Sequence, residues 1–149
     1  MNLKQAMSYL EQTFPEMKNR RVVTSAWCPR FREPIVDEHD FARFVARELT
    51  RGKSHCVQLA FDGMEAMLCS GETEVRDWVC AFVDALQEVT GWKETGEIGF
   101  VRFLGPETRR AWMALDAIRA DLADCSILEA EVTMWRAVHH TGRGASLRG

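Results

Sequence analysis

Long hydrophobic runs are missing from this chain. No apolar stretch approaches the roughly 20 residues that cross a bilayer as a helix. The opening residues, Met1-Asn-Leu-Lys-Gln-Ala-Met-Ser-Tyr-Leu-Glu11, lack the apolar centre of a signal peptide. Cysteine is odd in number, five residues with no closely spaced Cys-x-x-Cys pair. That argues against a disulfide framework and for reduced thiols in a cytoplasmic protein. Phosphate-cradling loops are lacking too. Neither Gly-x-Gly-x-x-Gly nor Gly-x-x-x-x-Gly-Lys-Ser/Thr occurs, and no Gly-x-Ser-x-Gly elbow marks a hydrolase nucleophile. No glycine-rich pyrophosphate turn follows residues 56–69, which weighs against acyl-CoA transfer on an N-acetyltransferase-like sheet. No cofactor is implied.

What is present reads as an ordinary folded chain. At 149 residues it is long enough for a real core, and one domain is expected. Its hydrophobic fraction of 46% and charged fraction of 28% match globular proteins. The net charge of −3 is unevenly spread. Residues 1–53 hold ten Lys and Arg against seven Asp and Glu, and the remainder holds nine against fifteen. A uniformly basic nucleic-acid binder is patterned differently.

The clearest local signal is Cys56-Val-Gln-Leu-Ala-Phe-Asp-Gly-Met-Glu-Ala-Met-Leu-Cys69. Asp62-Gly63 supplies the two residues of a type I′ turn, so the segment is expected to be a β-hairpin. Val57, Leu59, Phe61, Ala66 and Leu68 then share the core face. Cys56 and Cys69 become a cross-strand pair with Cα atoms about 4.5 Å apart.

The other elements follow from periodicity and caps. Leu3, Met7, Leu10 and Phe14 predict a helix over residues 2–14, ended by Pro15. Arg21 to Trp27 is expected to be a strand, and Cys28 to Pro34 a loop. Asp37 caps a helix over 38–51, with Phe41, Phe44, Val45 and Leu49 inward and Gly52 at its C-terminal end. Ser70 caps a helix over 72–90 whose stripe is Val75, Trp78, Val79, Phe82, Leu86 and Val89. Ile98 to Leu104 reads as a strand. Pro106 opens a helix to Asp124, and Ser126 to Val138 reads as a last strand.

Between residues 20 and 104 this order is βαββαβ, that of a ferredoxin-like α+β fold with its helices on one face of an antiparallel sheet. An N-terminal helix and a C-terminal helix–strand extension are added to it. A different α+β sheet, with the last strand beside the hairpin, is the alternative. Residues 1–138 form the domain and 139–149 a flexible tail.

Candidate chemistry is thin. The Cys56/Cys69 pair offers two ligands where a tetrahedral zinc site needs about four. Asp37-Glu38-His39-Asp40 suits a helix N-terminus, and His139-His140 lacks a second half of a phosphoesterase motif. An RRM shares the βαββαβ order but stacks bases on aromatics, and Met67 and Cys69 stand in those places.

The expected function is therefore binding: a protein-binding regulator, inhibitor or adaptor. Its expected contacts are the Arg30-Phe31-Arg32 loop, with Arg20 and Arg21, and the strand face of Glu129, Glu131 and Trp135. The last strand's edge would admit homodimerisation. An enzyme assembled from Cys28, Asp37, His39, Asp40 and His55 is the rival. A nucleic-acid module using Lys18, Arg20, Arg21, Arg30 and Arg32 is the third reading.

Overall fold

The computed structural model describes residues 1–23, 31, 33–90 and 99–141, with side chains as far as residue 124. Helices dominate it. They are α1 (Leu3–Thr13), α2 (Glu38–Thr50), α3 (Ser54–Ser70), α4 (Thr73–Val89) and α5 (Pro106–Thr141), with 3-10 turns at Pro15–Met17 and Val101–Phe103. The only sheet among the described residues is a two-stranded antiparallel ribbon, β1 (Arg21–Val22) on β2 (Ile35–Val36), with Arg21 opposite Val36 and Val22 opposite Ile35. The chain divides into two compact units, Met1–Trp112 and Met113–Gly149.

The α+β, ferredoxin-like expectation is overturned by this architecture, and three segments account for it. The expected hairpin over 56–69 is the body of α3. Its buried residues Val57, Ala60, Phe61, Met64, Met67 and Leu68 recur every three or four positions, a helical stripe and not an alternating one. Val57 is its single β-branched residue, while Ala, Met, Leu, Gln and Glu are good helix formers. The expected strand from Ile98 to Leu104 contains a 3-10 turn that buries Phe103. The expected last strand, Ser126 to Val138, lies wholly inside α5, a helix of 36 residues and about 54 Å. The strand edge proposed for homodimerisation is therefore a helix. The RRM order disappears with the sheet.

Three helices stand near the expected spans, although the Ser70 expected to cap α4 is the last residue of α3 and Glu72 takes the N-cap position of α4. α1, α2 and α4 fall within about two residues of the anticipated spans. Asn2 accepts a hydrogen bond from the Gln5 N–H while the Gln5 side chain accepts one from the Asn2 N–H, a reciprocal capping box. The Asp37 carboxylate accepts from the Asp40 N–H at 3.0 Å, and Gly52 takes φ +73° just past α2.

The first unit packs around aromatic rings. Phe41 contacts Phe14, Phe44, Trp78 and Phe82, with centroid separations of 5.1 to 6.0 Å. Phe61 bridges Phe82 to Phe100 and Phe103. Trp78 is fully buried, and its indole N–H donates to the Val36 carbonyl at 2.8 Å, tying α4 to β2. Gln87 donates to the Trp112 carbonyl at 3.1 Å and so pins the start of α5 to α4.

Candidate partner-binding site

Three cations, Arg47 on α2 with Arg51 and Lys53 in the connection that follows it, surround one buried carboxylate where α2 passes into α3. The Glu48 side chain is 2% exposed because Phe41, Phe44 and Val45 turn that side of α2 inward. Its oxygens lie 3.3 Å from Arg51 Nη1, 3.2 Å from Lys53 Nζ and 3.8 Å from Arg47 Nε. A carboxylate held out of water needs such partners, since burial without them costs several kcal/mol. One negative charge does not balance three positive ones, and all three cations keep about half their surface in solvent.

The cluster extends in both directions. Arg47 donates from Nη2 to Glu16 at 2.9 Å and lies 5.6 Å from the centroid of the Phe44 ring. Arg43, one turn earlier on α2, is exposed and has no ion-pair partner among the described residues. On the other side Arg102 Nη2 donates to Ser54 Oγ at 3.5 Å, and its guanidinium rests 4.6 Å from the Phe103 centroid. Arg47, Arg51 and Lys53 thus share Glu48, with Glu16 on Arg47, while Arg43 and Arg102 add two cations with no carboxylate partner among the described residues. α3 begins at Ser54 with no side-chain cap and no acid in its first turn, so its positive end adds to the local potential.

Beside these cations runs a groove of ≈ 450 Å³, within the range of ligand sites. Arg43, Ala46, Arg47, Leu49 and Thr50 of α2 form one wall, and Val89, Thr90 and Phe100 complete its lining among the described residues. Phe100 is fully buried, while Val89 is 40% exposed. The Thr50 and Thr90 hydroxyls donate to the Ala46 and Leu86 carbonyls, which leaves their lone pairs free to accept.

The residues singled out in the sequence fall elsewhere. Arg20 pairs with Asp40 at 3.0 Å. Arg21 grips Glu11 through two N–H groups, at 2.8 and 3.1 Å, and the hydrogen bond to Glu11 raises its pKa above the ordinary value. Phe31 is 3% exposed and lies in the core. Arg30 and Arg32 lie outside the described residues. Trp135, Glu129 and Glu131 lie in α5, and their side chains are likewise outside the description. Lys18 follows the first 3-10 turn, exposed.

The residues of the enzyme reading are dispersed in separate contacts. His39 meets Glu88 at 3.2 Å, Asp37 caps α2, Asp40 pairs with Arg20, and His55 is exposed in the first turn of α3. Cys28 is outside the described residues. Cys56 and Cys69 stand 13 residues apart in one helix, about 20 Å along its axis, so the proposed thiol pair does not form. Burial pushes the Cys56 thiol up, Glu48 adds to this and Lys53 opposes it, which keeps the sulfur protonated. Among the described residues no group of three or more His, Cys, Asp or Glu side chains is arranged to hold a metal.

The basic corner was missed although a signal for it exists. Arg43, Arg47 and Arg51 recur every fourth residue, a single row on a helix, and residues 1–53 carry the chain's cationic excess.

No curated protein and no solved structure matches the chain. One family model, described as Domain of unknown function (DUF7674), matches residues 7–120, a span that contains every residue of the basic corner and its groove. That match covers most of the 149 residues, and the chain belongs to the DUF7674 family.

Proposed function

We propose that this chain is a protein-binding module that regulates or inhibits an acidic partner through the corner between α2 and α3. The observation that supports it is the charge imbalance: Arg47, Arg51 and Lys53 meet on Glu48, Arg47 also reaches Glu16, and beside them Arg43 lines the groove with Arg47 and Arg102 reaches Ser54, neither with a carboxylate partner among the described residues. Such a patch steers an oppositely charged surface and holds it by charge-assisted hydrogen bonds. The same cations favour nucleic acid as a second reading.

One experiment separates the two. The wild-type chain and an Arg43→Glu/Arg102→Glu variant are immobilised, and both are challenged with host lysate with and without nuclease. Both substitutions fall on exposed side chains that do not touch Glu48, so helix content measured by circular dichroism should be unchanged. The expected result is a protein retained by wild type, released as salt rises, lost from the variant and indifferent to nuclease. Retention of the same proteins by the variant overturns the reading. Loss on nuclease treatment favours nucleic acid instead.

A further inference from the structure

We infer that the groove beside the corner takes an acidic peptide segment carrying an apolar anchor, with its carboxylates on Arg43 and Arg47 and the anchor on Leu49 and Val89. This rests on the corner being a partner surface and names the partner's chemistry. Arg47 already displays the mode of contact, since it holds the Glu16 carboxylate at 2.9 Å. Both members of that pair are about half exposed, so it contributes little and exchanges readily with an incoming acid. Arg43 lines the same groove with no ion-pair partner among the described residues. The two guanidiniums leave α2 one turn apart, a rise of about 6 Å. Alternate residues of an extended segment span about 6.7 Å, so two carboxylates at that spacing meet both cations.

The floor selects the rest of the ligand. Leu49 is partly exposed and presents carbon, Val89 keeps 40% of its surface exposed at the end of α4, and Phe100 is fully buried behind them. An aliphatic or aromatic side chain covers that surface, whereas a purely polar acidic run leaves it wet. The lone pairs on Thr50 and Thr90 accept from the segment's N–H groups. A polyphosphate chain offers neither an anchor nor those donors.

The test is fluorescence anisotropy on the whole chain with the probe fluorescein-Asp-Glu-Trp-Asp-Leu-Glu. Its controls are the Asn/Gln version, a version with Ser for Trp and Leu, and a labelled thymidine oligonucleotide. Arg43→Glu and the Asn/Gln peptide should each weaken binding about tenfold. Val89→Asp and the Ser peptide should each weaken it about fivefold. Equal binding of the Ser peptide and the parent, together with an unaffected Val89→Asp, overturns this inference while leaving the corner as a partner surface. Failure of every acidic peptide overturns both readings. Tighter binding of the oligonucleotide than of the parent peptide overturns both in favour of nucleic acid.

Discussion

Gly63 stands in the middle of α3, where glycine costs about 1 kcal/mol relative to alanine. Space explains its place. A Cβ at that position would lie 2.8 Å from Cε1 and 3.0 Å from the hydroxyl of Tyr9, so the bare backbone is the notch that lets the α1 ring pass. Gly63→Ala is therefore expected to destabilise by about 1–3 kcal/mol through overpacking, despite its better helix propensity. Chemical unfolding measures it. The loss should shrink when Tyr9→Ala is combined with it, and strict additivity of the two changes would rule the notch out. Glu48 makes a second residue-scale case. Glu48→Ala removes the common partner of Arg47, Arg51 and Lys53, and because those cations are half exposed the cost is expected at about 1–2 kcal/mol. Thermal unfolding should show the loss, and Glu48→Gln should recover part of it.

Among the elements, α5 depends on a partner helix for its start. The Glu65 carboxylate of α3 accepts from the Glu107 N–H, the Thr108 N–H and the Thr108 hydroxyl, at 2.9, 2.9 and 3.0 Å. It thereby caps α5 in trans. Gly105 makes the approach possible, since a Cβ there would lie 2.6 Å from the Glu65 carboxyl carbon. Burial acts to raise the Glu65 pKa, but the three hydrogen bonds and Arg110 outweigh it and bring it below the ordinary 4.5. A lowered pKa means the folded state favours the ionised form. The resulting stability is present above pH 4.5 and is lost as pH falls through the lower folded value. Glu65→Gln should cost about 0.5–2 kcal/mol at neutral pH, as other lost caps do. The difference from wild type should narrow as unfolding is measured at progressively lower pH below 4.5. A gap that stays constant down to strongly acid pH would contradict the assignment.

At the scale of the whole molecule, helices dominate the described residues. Far-ultraviolet circular dichroism should give a helix-dominated spectrum, and a sheet-dominated one would restore the α+β reading. Phe82 joins Phe41, Phe61 and Trp78, so Phe82→Ala is expected to cost about 3–5 kcal/mol in chemical unfolding. Among the described residues no helix is long and apolar enough to cross a membrane. α5 exposes Met113, Ile118 and Leu122, each more than half accessible.

How much of this was legible in the chain differs by segment. Local chemistry alone determined α2, where Asp37, Gly52 and an apolar stripe with a 3.6-residue period all agree, whereas α4 followed from its stripe alone, since Ser70 ends α3 and Glu72 holds the N-cap. It also contained the row Arg43, Arg47, Arg51. For residues 56–69 local and tertiary demands diverge. Asp62-Gly63 is a turn signal only while nothing is known of Tyr9, which sits more than fifty positions away and needs the missing Cβ. The buried state of Glu48, the trans cap from Glu65 and the meeting of Arg102 with Ser54 depend on contacts between distant segments. The sequence by itself thus determined where helices with concordant caps and periodicity begin and end. Only the tertiary structure decided that a glycine was a notch and that scattered cations became one surface. Caps and periods act within a turn or two of backbone, whereas clearance and charge balance are set by whatever the fold brings alongside.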